Sequence, residues 1–251
     1  MENGTQTNSA NFGDGRLGIE GVLFDVQGTL VDFYSTLLRE GARIGEAKGI
    51  EADWAEVADA WRLLYREGLD AVIGGRRPWQ TTDHIYRQGL DVLLERFPWG
   101  AAFSSAERDQ LTAIWRALDP WPDSRPGLTR LRERLVLSTL SNGSMRSVIG
   151  IVKSGGLPFD CVLTSELVRS FKPDPKVYQL AVDALGLPPE RLLMVACHKY
   201  DLKAAKALGF RTAFIRRPLE FGPQGVADLG NESYFDLAVD TVGELAEHLF
   251  V

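Results

Sequence analysis

The sequence predicts an α/β protein: a parallel sheet core flanked by helices, with a helical cap inserted near its start. Three observations predict it. GVLFDV, residues 21–26, is an almost unbroken apolar run that ends in a carboxylate and a turn. Residues 33–116 carry apolar positions at helical spacing, and from 134 onward short apolar runs alternate with amphipathic stretches. Alternation of this kind belongs to parallel sheets joined by right-handed crossovers. The 251 residues can bury one such domain with an insertion.

Residues 1–17, rich in Asn, Gly, Thr and Ser, read as a flexible tail outside the fold. GVLFDV follows as a strand covered on both faces, because its apolar residues hardly alternate with polar ones. Within 33–116, EVADAWRLLYREGLDAV, DHIYRQGLDVLLERF and ERDQLTAIWRAL space their apolar residues three and four apart, which predicts an all-helical cap. WPDSRPGLTRLRERL, 121–135, reads as a loop returning to the core, followed by a helix. Strands are expected at 134–142, 161–165, 192–197 and 212–217, with helices around 144–155, 175–186 and 201–208. The core is thus 18–32 plus 117–251, and the cap 33–116.

Composition excludes several function classes. A formal charge of −6 without a long Lys/Arg block argues against a nucleic-acid partner. No apolar run reaches the length needed to cross a bilayer, so no membrane partner is expected. Cys161 and Cys197 form neither a spaced metal motif nor a disulfide framework, and the start of the chain lacks a signal segment. These features predict a cytoplasmic protein.

In open parallel sheets ligands bind at the carboxyl ends of the strands, where Asp25, Ser141, Lys172 and Asp201 all fall. Asp25 is either a turn aspartate or a nucleophile able to form a covalent ester. Ser141 and Asn142, in SNGS, are good turn chemistry and equally a cradle for a substrate carboxylate and a leaving group. Lys172, in SFKPDPKVY, is either solvated or the counter-charge for crowded carboxylates. Asp201 suits a helix cap, or the orientation of a water. His198, three residues earlier, is a structural or a catalytic histidine.

Taken together and in order, FDVQGTL, LSNGS, FKPDPKVY and HKYDLKAAKALGFRTAFIRRP resemble the haloacid dehalogenase superfamily across 20–250, and its 2-haloacid dehalogenase (type II) branch in particular. The resemblance implies a Rossmann-like core and helical cap. Phosphatases of the superfamily read DxDGT, with a second acid that transfers protons and whose backbone carbonyl helps hold magnesium; Gln27 stands there and its side-chain amide cannot transfer protons in that way, while the acidic pair that the fourth motif offers magnesium is reduced to Asp201. The resemblance therefore implies metal-independent, cofactor-free hydrolysis of short 2-haloalkanoic acids, haloacetates and 2-halopropionates, to 2-hydroxy acids. Asp25 attacks, an aspartyl ester forms, and water oriented by Asp201 hydrolyses it, with Lys172, Thr29 and Ser141 completing the catalytic set. Arg62, from the Trp-Arg pair in DAWRLLY, is implied as halide ligand, with Asn142, Gln27 and His198 beside it and Tyr34 as a pocket wall. A homodimer is expected by analogy. The alternatives are a magnesium-dependent phosphatase of the same superfamily and a non-catalytic binding member.

Overall fold

The computed structural model describes residues 17–250; the tail expected at 1–17 lies almost entirely outside the described residues. Among them a six-stranded, all-parallel sheet runs in the order β5-β4-β1-β6-β7-β8. Its strands are β1 (Gly21–Phe24), β4 (Val136–Ser141), β5 (Cys161–Thr164), β6 (Leu192–Ala196), β7 (Arg211–Ile215) and β8 (Leu237–Val239). β1 lies at the centre, so the chain places Asp25 at the middle of the sheet's carboxyl edge.

Alternate residues feed two cores, as the pleat requires. Val22, Phe24, Leu193 and Val195 join a large core shared with helices α5 (Ser124–Leu131), α6 (Met145–Gly155) and α9 (Val242–Phe250). Leu23, Leu192, Met194 and Phe214 face the other way, against α7 (Pro175–Leu185) and α8 (Lys199–Ala207). Both faces are covered, which is why the strands read as continuous apolar runs.

Between β1 and β4 the chain forms α1 (Phe33–Lys48), α2 (Trp54–Ile73), α3 (Thr82–Leu94) and α4 (Ser105–Thr112). The strands β2 (Val31–Asp32) and β3 (Asp119–Pro120) pair antiparallel at the two ends of this helical segment. The helices have strong local starts: Asp32, Asp53 and Thr81 cap α1, α2 and α3, and Ser104 with Glu107 makes a reciprocal capping box on α4. Tyr65, Tyr86 and Trp115 stack in their interior, with Tyr86 and Trp115 4.0 Å apart between ring centroids. The start of α3 is tied to the start of α6: Thr82 Oγ1 accepts from Ser144 N (2.8 Å), and Asp83 accepts from Ser144 Oγ (2.9 Å).

Three expectations need correction. The helix expected after the returning loop is α5, which starts as early as Ser124, with Pro126 in the first helical turn, where its missing N–H costs nothing. α8 begins at Lys199, two residues earlier than expected, so Asp201 lies inside its first turn. β8 and α9, closing one edge of the sheet, were not anticipated; β8 is only three residues long, too short for a periodic signal.

Candidate active site

The loops after β1, β4, β6 and β7 converge on Asp25. The turn after β1 needs Gly28, whose φ is +82°, and a Cβ there would meet Glu220 Oε1 at 2.5 Å. Thr29 follows and donates from Oγ1 to Asp25 Oδ2 at 2.8 Å, while accepting from Cys197 N at 3.1 Å. Arg217 fixes this turn from β7's end: its Nε donates to Thr29 O at 2.8 Å and its guanidinium grips Asp123 through two bonds of 2.8 and 2.9 Å. A bidentate pair of this kind holds geometry as well as charge.

Lys172, 1% exposed, donates from Nζ to Asp25 Oδ1 at 2.9 Å and to Asp201 Oδ2. A fully enclosed ammonium is tolerable only with such partners. Asn142 positions the lysine: its Oδ1 accepts from Lys172 N at 2.7 Å. Its amide is thus engaged with the lysine backbone. Ser141 Oγ accepts from Gly143 N at 3.0 Å and shapes the adjoining turn.

These contacts set the charges. Burial opposes ionisation of Asp25, but Lys172 and the hydrogen-bonded His198 outweigh it and hold the carboxyl well below the usual carboxylate range. Burial likewise opposes charge on Lys172, and Asp201 and Asp25 reverse that effect, so it remains an ammonium. Asp201 goes the other way: burial, helped by Asp25, raises its pKa against the pull of Lys172 and Tyr178.

A small cavity of about 30 Å³ opens over Asp25, lined by Gln27, Arg62, Arg66, Ser141, His198 and Tyr200 among others. Arg62 reaches it from α2, over the rings of Phe33 and Tyr65 at 5.0 and 5.1 Å. Gln27 Oε1 accepts from the Tyr86 hydroxyl of α3 at 2.8 Å. The glutamine is therefore a joint between the sheet edge and the helical segment. His198 Nδ1 lies 3.1 Å from Asp25 Oδ2 and its Nε2 2.8 Å from Glu220 Oε1.

Two site expectations change. Tyr34 does not wall the cavity; its ring packs against Gly222, where a Cβ would come within 2.2 Å of it. Asp201 is fully enclosed: Lys172 takes Oδ2 and the Tyr178 hydroxyl donates to Oδ1 at 2.7 Å, so no carboxylate edge meets the cavity. Thr29, Lys172 and Asp201 form a layer beneath Asp25, while Gln27, Arg62, Ser141, Asn142 and His198 do line the cavity. Sequence reasoning missed Arg66 and Glu220. Arg66 sits one helical turn from Arg62, a readable signal. Glu220 follows β7 in RRPLEFGP, a carboxylate beyond a strand end.

The donor set does not fit magnesium against Asp25. Gln27 is an amide held by Tyr86, both Asp201 oxygens are committed, and the Lys172 ammonium stands where the two aspartates would share a cation. Cys197, His198 and Glu220 bring a sulfur, an imidazole nitrogen and a carboxylate oxygen within 4.8 Å of one another, the donor types of zinc. Here they bond to each other, with Cys197 Sγ 3.6 Å from Glu220 Oε2.

The haloacid dehalogenase-like hydrolase family matches residues 19–209. An (S)-2-haloacid dehalogenase of Pseudomonas putida is 31% identical over 204 residues, covering 79% of this chain and 86% of that one. A crystallised L-2-haloacid dehalogenase superposes with a TM-score of 0.88 at 39% identity, covering 92% of this chain and 98% of that chain. A second, described as a defluorinating L-2-haloacid dehalogenase, gives 0.89 at 35% identity, with 93% and 96% covered. The parallel sheet, the residues gathered on Asp25 and these likenesses together place the chain in the haloacid dehalogenase-like hydrolase family, within its 2-haloacid dehalogenase branch.

Proposed function

We propose that the protein hydrolyses short 2-haloalkanoic acids, haloacetates and 2-halopropionates, to 2-hydroxy acids without a metal. The observation that carries this reading is an ionised, buried Asp25 facing a small cavity, with the Lys172 ammonium beneath it and an amide at position 27. A carboxylate kept charged in a dry site is a competent nucleophile toward carbon. Displacing halide needs no proton on the leaving group, so the missing second acid is no handicap.

In the first step an Asp25 oxygen attacks C2 with inversion, the carbon–halogen bond breaks with its electron pair on the halide, and an aspartyl ester forms. Arg62 and Arg66 bring two guanidinium groups to one cavity, suited to receiving a halide and a carboxylate. Lys172 balances the carboxylates, Thr29 orients Asp25, and Ser141 with Gly143 shapes the substrate's side. Asn142 acts by holding Lys172. Asp201 acts by holding the lysine from below. Residues 33–116 serve as the cap on a core of 18–32 and 117–251, and Gln27 with Tyr86 couples the two.

A cytoplasmic location and a homodimer complete the reading: the first rests on two free cysteines, the second on family analogy. Among the described residues no helix is long and apolar enough to cross a membrane. The test is halide release from chloroacetate, fluoroacetate and each enantiomer of 2-chloropropionate, in excess EDTA, with Asp25→Ala as control. Release that survives chelation and vanishes in the variant is expected. Release abolished by EDTA, or retained by the variant, would refute the reading.

A further inference from the structure

Ester hydrolysis needs a group that takes a proton from the attacking water, and the enclosed Asp201 offers no oxygen to the cavity. The titratable residues that line the cavity are Asp25, Arg62, Tyr65, Arg66, His198 and Tyr200. Once Asp25 is esterified, the guanidinium groups have no basic site near neutral pH, and burial pushes both tyrosine hydroxyls up. That leaves His198, the one group lining the cavity that also touches the Asp25 carboxylate. Its second nitrogen is held by Glu220, which is 3% exposed and has no other cationic partner among the described residues. Gly28 keeps room for that carboxylate. A nucleophile in reach of a base that is itself oriented by a third group is the recurring arrangement of covalent hydrolysis.

We propose that His198 is the general base and acid of ester hydrolysis, and that Glu220 is its positioning residue. The inference rests on the dehalogenase reading above. In the resting enzyme Asp25 and Glu220 both accept from a protonated His198. Alkylation removes the Asp25 charge, and the Nδ1 proton departs to solvent while Nε2–H stays on Glu220. Water then adds to the ester carbonyl carbon and gives its proton to Nδ1. The tetrahedral intermediate collapses by breaking the bond to the substrate oxygen, which leaves with the proton from Nδ1 as the 2-hydroxy acid. Asp25, now carrying the water oxygen, returns its proton to Nδ1. The sum is haloacid plus water to hydroxy acid, halide and one proton.

The experiment is rapid-quench halide release from chloroacetate together with intact mass, on wild type, His198→Ala and Glu220→Gln. His198→Ala should release about one halide per active site in a burst, accumulate the carboxymethyl adduct, and turn over on the order of 100-fold more slowly or worse. Exogenous imidazole should restore part of its turnover. Glu220→Gln should show the same adduct with a smaller loss. Turnover at the wild-type rate, or a lost burst with no adduct, would overturn the assignment, the latter by placing His198 in the alkylation step. If a variant precipitates, the burst and adduct are read on His198→Gln instead, against the same outcomes. Absence of halide from the wild type would instead sink the dehalogenase reading, a result distinct from any variant's failure.

Discussion

At the scale of single residues, the site is a stack of charges that stand only together. Asp25 and Asp201 share one ammonium, and each carboxylate has a hydroxyl donor besides. Asp25→Asn keeps the shape and removes the nucleophile, so halide release should fall on the order of 10⁴-fold or more while circular dichroism stays native. Lys172→Met strips both aspartates of their cation. It should cost about 3–5 kcal/mol of unfolding free energy, measured by denaturant titration, because a buried charge is left unpaired. The sign of its pH effect is fixed by Asp25. Lys172 is a principal group holding that pKa down, so its loss raises the pKa, and the acid limb of kcat/KM should move toward neutral pH.

At the scale of elements, the cavity is covered by α2 and braced by α3, helices of the inserted segment. α2 supplies Arg62 and Arg66 one turn apart, and α3 supplies Tyr86, which holds Gln27. Arg62 is anchored by packing over Phe33 and Tyr65, and its donors make no hydrogen bond to the described residues. They are free for an anion. Arg62→Ala should therefore lower kcat/KM by about 10- to 100-fold, the worth of a charge-assisted bond, with little change in the denaturation midpoint. A large stability loss with unchanged kinetics would show the arginine to be packing alone. The loop after β7 works differently: Arg217 ties it to the Gly28 turn and Asp123, and thereby sets Glu220 behind His198.

At the scale of the whole molecule, the site links folding to pH through His198. Burial disfavours its charged form, but Cys197, Glu220 and Asp25 outweigh burial and raise its pKa well above the ordinary value. A raised folded-state pKa means stabilisation fully present below the unfolded value of about 6.5, and lost as pH rises through the folded one. The denaturation midpoint should fall as pH is raised from neutrality into the alkaline range, and His198→Gln should flatten that fall. A midpoint equally steep in the variant would assign the dependence to other groups.

The sequence by itself determined five of the sheet's six strands, the helical segment and the positions of Asp25, Lys172 and Asp201, because these follow from local signals. Buried strands read as apolar runs, amphipathic helices as a spacing of three and four, and catalytic carboxylates as polar residues at strand ends. The change at Gln27 also pointed to the branch of the family. Which residues meet was decided only by tertiary structure. Tyr34 and Arg62 are equally plausible pocket residues on helices, yet one faces Gly222 and the other the cavity, because helix packing sets the direction of each side chain. Asp201 keeps its place at the sheet edge but is sealed by Lys172 and Tyr178, and Glu220 reaches His198 from 22 residues away in the chain. Such pairings are made by crossovers between strands, and no local pattern records which loop ends will touch once the sheet has closed.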